Sequence, residues 1–291
     1  MRYYGWRIAW ALAVTQTVGF GVLFYGFSVF TLPMELELGW SRAQTSGAYS
    51  LALLVSGLLA LPVGRWVDAR GGRLPMTAGS LAASLLVLLW SNVHSLAGLY
   101  AVQALIGVAM SMVLYDVAFT VLAAWFRRDR IRAMLIVTSV AGLASTVFIP
   151  LATFLVETYG WRDALRLLAL LHAALAVPLH GLVLRDRPER MGHAPDPDAA
   201  AERTLTVRQA LRLGAFWRLT GAFSLDRMVS VAIAAHSVPL LLERGHGPGE
   251  VAAVTGSIGL LQVAGRFAVA PAAGRFSLAT LAAATFATRA A

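Results

Sequence analysis

At 291 residues, with 58% apolar side chains, 13% charged ones and a mean hydropathy of +0.69, the chain has the composition of an integral membrane protein, which excludes a soluble globular domain. The net charge of +9 does not point to nucleic acid, because the basic residues sit in short loops between apolar runs and form no single patch. Cysteine is absent and all 24 basic residues are arginine, which excludes disulfides, thiolate metal sites and any lysine clamp or Schiff base.

Met1 to Arg7 is a short basic lead whose Tyr4 and Trp6 suit a headgroup region. The uncharged run Ile8 to Leu32 is too long for a cleavable signal and reads as span 1, ended by Pro33. Its small and polar residues suit close helix packing or a polar cavity. Glu35, Glu37 and Gly39-Trp40-Ser41-Arg42 follow outside. Span 2 (Ala43 to Val63) and span 3 (Leu74 to Val93) flank a charged hinge, Gly64 to Arg73. Span 4 runs from Leu96 to Phe126 and contains Asp116; Arg127, Arg128, Arg130 and Arg132 form the next loop. Span 5 is Ala133 to Val156 and holds Pro150. Gly160-Trp161-Arg162 then repeats the earlier corner, and span 6 ends near Leu184.

Residues 185–214 change composition to Arg, Asp, Pro and Ala and read as a linker. It closes with a short amphipathic surface helix over Thr206 to Gly214. Span 7 (Phe216 to Leu242) holds Asp226, Arg227 and His236; span 8 (Val251 to Ala273) holds Gln262 and Arg266. Phe276 to Ala291 begins a ninth. Short loops on one face hold Arg65, Arg70, Arg73, Arg127, Arg128, Arg130 and Arg132, against Arg42, Arg162 and Arg244 on the other. That bias puts the N-terminus and the linker in the cytoplasm.

Six spans, a polar linker and further spans suggest two related halves. A matching second half would carry the chain to roughly residue 390, so a C-terminal truncation is expected. The expected division is a six-helix N-terminal half over 1–184, a linker over 185–214, and part of a C-terminal half over 215–291.

The hinge resembles the loop between spans 2 and 3 of the major facilitator superfamily, G-x-x-x-D-R-x-G-R-[RK]. Gly64, Asp68, Gly72 (or Gly71) and Arg73 fit it, with the arginine after the aspartate displaced to Arg70. Tyr4-Gly5-Trp6-Arg7, Gly39-Trp40-Ser41-Arg42-Ala43, Gly160-Trp161-Arg162 and the exit of span 7 from His236 to Gly245 are similar to the monocarboxylate transporter branch and its bacterial oxalate–formate antiporter relatives. The resemblance implies an all-α, polytopic membrane protein of the major facilitator fold, in a cell membrane such as a bacterial inner membrane. It implies secondary transport of a small organic anion, a monocarboxylate or dicarboxylate, by alternating access, with a proton or counter-anion as coupling partner and no cofactor. It also implies that Arg266 binds the substrate carboxylate, with Gln262 where the branch carries an aspartate and Tyr25 near its span-1 lysine position. Gly64, Asp68, Arg70, Gly72 and Arg73 would latch the cytoplasmic face. A non-transporting fragment, drug efflux and inorganic-anion transport are the alternatives.

The residues alone leave roles open. A charge inside a membrane costs several kcal/mol unless paired or hydrated. Arg266 reads either as a guanidinium fork for an anion or as an arginine snorkelling to the surface. Asp226 and Asp116 read as proton carriers or as halves of structural ion pairs; His236 and His172 read as titrating groups or as packing histidines. Adjacent Asp226 and Arg227 diverge by about 100° and cannot share a face. No ATP-binding loop, H-E-x-x-H or G-x-S-x-G motif is present, so no enzyme is expected and no metal site is assigned.

Overall fold

The computed structural model describes residues 3–126, 128–186 and 211–269, together with Gln209 and Thr280. All regular structure among them is helical. Six stretches have the length and apolarity to cross a bilayer: 5–38, 42–70, 73–90, 96–125, 130–183 and 214–243. The fifth would rise about 80 Å as one rod, far beyond a hydrocarbon core of roughly 30 Å. It folds back at Gly160, whose φ of 78° is open to glycine and strained for other residues. With the helix Pro248–Val269, the described residues form eight rods in the expected order.

The first rod consists of α1 (Gly5–Gly19), a π-helical turn (Phe20–Tyr25) and α2 (Gly26–Leu38). Then come α3 (Arg42–Arg70), α4 (Arg73–Trp90), α5 (Leu96–Val113), α6 (Tyr115–Trp125), α7 (Arg130–Ala141) and α8 (Ala144–Pro178). A second π turn, Leu179–Val183, closes the first six rods; α9 is Gly214–Glu243 and α10 is Pro248–Val269.

Three expectations change. Pro33 does not end the first rod, which continues to Leu38. The ten-residue hinge shrinks to Gly71 and Gly72, because α3 runs on through Gly64 to Arg70. A single glycine costs a helix only about 1 kcal/mol, so Gly64 does not stop it, whereas Gly71 does at a φ of 89°. Span 4 breaks at Leu114, where ψ is −169°. Gln16 Nε2 donates to the Val113 carbonyl at 2.6 Å and supplies a partner at the break. The expected amphipathic helix over Thr206 to Gly214 and the start of a ninth span lie largely outside the described residues.

The rods have two ends. One carries Arg70, Arg73, Arg128, Arg130 and Arg132 and is called the arginine-rich end; the other carries the corners at Gly39 and Gly160. Buried side chains form one cluster toward each. The cluster toward the far end joins Phe27, Phe30, Tyr49, Trp90 and Trp161 to Ala235, Val238, Val251 and Ala252 of α9 and α10. The cluster at the arginine-rich end draws on residues before 185 only, among those described. The last two rods are therefore cored against the first six toward the far end.

Candidate functional site

Arg266 lies on α10, half-buried, and its guanidinium donates a hydrogen bond to the Thr138 carbonyl of α7. Backbones approach closely enough to place it there. A Cβ on Gly259 would stand 2.6 Å from the Gly142 carbonyl oxygen, and Thr146 Oγ1 donates across the same seam to the Gly256 carbonyl at 2.7 Å. Such small-residue seams are how rods pack where lipid provides no hydrophobic drive.

Across from Arg266 stands Tyr115, the first residue of α6, at the break in span 4. Its hydroxyl lies within electrostatic reach of Arg266, Tyr25 and Arg227. Tyr25 closes the π turn of the first rod; such turns recur at functional sites because they re-aim side chains. The ring of Tyr115 lies flat on Phe119 (5.0 Å between centroids) and 4.5 Å from Phe20. Tyr49 donates to the Phe24 carbonyl at 3.2 Å and stacks on Phe27 at 4.2 Å. The result is an aromatic wall from the first, second and fourth rods, with Arg227 and Arg266 of the last two rods within electrostatic reach of Tyr115. A guanidinium fork beside phenol hydroxyls in a site partly shielded from water suits a planar carboxylate.

The other expected residues are dispersed. Gln262 is exposed, one helical turn before Arg266. Asp116 is exposed in the first turn of α6. Asp226 is half-buried midway along α9, and His236 is half-buried three turns further on. Of the hinge residues, Gly64 sits within α3 and Asp68 is exposed, with no hydrogen bond or ion pair to a described residue. Arg70 ends α3. Arg73 is tied to the end of span 6: its N–H donates to Asp186 Oδ1 at 3.0 Å and its Nε to the Gly181 carbonyl at 2.8 Å. Asp186 lies so close over Gly71 that a Cβ there would meet its carboxylate at 2.2 Å. His172 is a packing histidine, buried and bonded through Nδ1 to Ser84 Oγ at 2.8 Å. His180 joins Ser80 and Thr15 in the same way.

Charged pairs close the far end. Arg42 donates through Nε to Glu35 and through Nη2 to Glu243 of α9 at 2.7 Å. Glu37 accepts from the Trp161 indole at 2.6 Å and from Arg162 Nε at 3.0 Å. Sequence reasoning missed Tyr115 and Asp186, and gave Gln16 only as one of the polar residues of span 1 suited to packing or a cavity. Tyr115 carries no local signal, since neither glycine nor proline marks the break beside it.

Apolar rods of this length, stacked around a site of arginine and tyrosine, define a multi-pass membrane protein. The model of the Major Facilitator Superfamily matches residues 8–290, and the chain belongs to that family. It is 28% identical over 267 residues to monocarboxylate transporter 13 of Bos taurus, covering 91% of this chain and 60% of that protein. It is 29% identical to monocarboxylate transporter 11 of Mus musculus over 84% of this chain and 54% of that one. It is 26% identical to the oxalate:formate antiporter of Oxalobacter formigenes over 74% and 50%. The fold is similar to a crystal structure of a bacterial homolog of the human lysosomal transporter Spinster, with a TM-score of 0.75 at 17% identity, covering 95% of this chain and 64% of that one. The chain spans between half and two thirds of the length of these proteins.

Proposed function

We propose that this chain belongs to a secondary transporter of a small organic anion, a monocarboxylate or dicarboxylate, with Arg266 as the carboxylate clamp. The observation that carries the reading is the half-buried Arg266 of the last described rod, bonded across the seam to the Thr138 carbonyl of α7 and within electrostatic reach of Tyr115 and Tyr25. A ligand bridging these groups touches both sides of the seam along which alternating access rocks the molecule. Arg266 holds the carboxylate by its fork, and the two phenols set the size of what fits. The arginine-rich end faces the cytoplasm by the positive-inside bias. Arg42 and Glu243 close the opposite end and separate when it opens. Asp226, Asp116 and His236 are the candidates for a coupling proton, and a counter-anion is the other coupling partner.

Binding to the purified protein tests the clamp. A carboxylate at a hundredfold excess over its Kd stabilises the folded state by about 2.7 kcal/mol. The melting temperature is expected to rise with a short carboxylate and to stay fixed with the matching amide. It is expected to stay fixed with either ligand in Arg266→Ala. Equal stabilisation of wild type and variant contradicts the clamp.

A further inference from the structure

A second feature, independent of the anion site, lies where the start of the first rod meets the end of span 6. A groove of about 670 Å³ opens there on the outer surface of the bundle. Its floor is aliphatic: Ala11 and Val14 on α1, and Leu179 and Val183 on the π turn after α8. Its rim is aromatic and basic. Tyr4 bridges the two sides by donating to the Val183 carbonyl at 2.9 Å. Two guanidinium groups lie against the Tyr4 ring, Arg185 at 4.4 Å from the centroid and Arg7 at 5.8 Å. Trp10, 55% exposed, stands beside the floor.

The two sides repeat one gradient. On α1, Arg7, Trp10, Ala11 and Val14 follow the spacing of a single helical face, so the cation sits about 10 Å above the last aliphatic residue. On the span 6 side, Leu179 and Val183 lie one turn apart, and Arg185 follows above them. The acidic residue next to Arg185, Asp186, is turned away to the Arg73 N–H. Two cations against the same tyrosine ring, above a strip long enough for part of an acyl chain, match one chemistry. They complement an anionic headgroup with a hydrocarbon tail beneath it.

We propose that this groove is a binding site for one anionic phospholipid of the leaflet at the arginine-rich end. Its phosphate sits between Arg7 and Arg185 and one acyl chain lies along Val14 and Leu179. Basic pockets between membrane helices select lipids by charge in this manner. The occupied groove ties the start of the first rod to the end of span 6.

Native mass spectrometry of the detergent-purified protein tests it, with phosphatidylglycerol and phosphatidylcholine of the same acyl chains. One phosphatidylglycerol is expected to bind roughly tenfold more tightly than phosphatidylcholine. The double variant Arg7→Gln, Arg185→Gln, at two exposed positions, is expected to abolish that preference with the melting temperature unchanged. Val14→Trp, which fills the floor, is expected to weaken both lipids. The control Arg128→Gln, Arg212→Gln removes the same charge elsewhere and is expected to leave the preference intact. Equal loss in the control, equal binding of the two lipids, or equal competition by inorganic phosphate overturns the proposal.

Discussion

Gly39 and Gly160 turn the chain at two corners of the far end, with φ of 70° and 78°. At each corner a tryptophan and an arginine follow, and the arginine reaches a glutamate of α2. At the second corner every bond stays within the first six rods. Trp161 and Arg162 both hold Glu37, and Arg162 Nη1 also takes the Ser91 and Val93 carbonyls at 2.8 and 3.1 Å. At the first corner Arg42 divides its donors between Glu35, nearby in sequence, and Glu243, which belongs to α9 and is 50% exposed. One arrangement is a fixed clamp made of several bonds. The other is a single ion pair across the seam, weak enough to break and re-form. The same short signature thus holds the first six rods together in one place and spans the seam to α9 in the other, and what separates them is which rod supplies the second partner.

The clamp should show the larger stability effects. Trp161 is 4% exposed, so Trp161→Ala removes both core packing and a hydrogen bond to a carboxylate. It should cost about 3–5 kcal/mol, read as a large fall in melting temperature in detergent. Arg162→Ala leaves Glu37 and two loop carbonyls short of partners, and about 2 kcal/mol is expected by the same measurement. At the first corner, Ser41 and Gln44 form a reciprocal cap on α3, with Gln44 Oε1 accepting from the Ser41 N–H at 2.9 Å. Ser41→Ala should cost about 1 kcal/mol. Glu243→Gln should change stability by less than about 1 kcal/mol, as exposed ion pairs do. It should nevertheless shift the molecule toward opening at the far end. The chain has no native cysteine, so spin labels on Tyr159→Cys and Gly247→Cys report that opening directly. A longer mean distance in Glu243→Gln supports the division of labour; an unchanged distance with a lost melting temperature would reverse it.

The number and order of the described rods, the arginine-rich end and the two glycine corners were legible because each rests on a strong local signal. A run of apolar residues too long for a soluble helix, a block of arginines and a glycine beside a tryptophan need no distant partner to be read. The site was legible only in part. Tyr25 and Arg266 followed from a family resemblance, and both lie within electrostatic reach of Tyr115. Tyr115 itself was invisible, because the break at Leu114 is supported by Gln16, 97 residues away. The extent of α3 was misjudged for the opposite reason. Gly64 and the charges around it look like a loop, but one glycine does not outweigh a continuing helix. Asp186 was hidden in a stretch that reads as linker, and only folding sets it over Gly71.

The central claim is that Arg266 holds the carboxylate of a transported anion. The most direct test is uptake of labelled short monocarboxylates and dicarboxylates into liposomes carrying the protein, its Arg266→Ala variant or its Arg266→Lys variant. Wild type is expected to accumulate at least one of these anions. Arg266→Lys, which keeps the charge and loses the planar fork, is expected to fall by roughly tenfold, and Arg266→Ala to the level of empty liposomes, with insertion unaltered in both. Uptake that survives in Arg266→Ala at the wild-type rate would contradict the account.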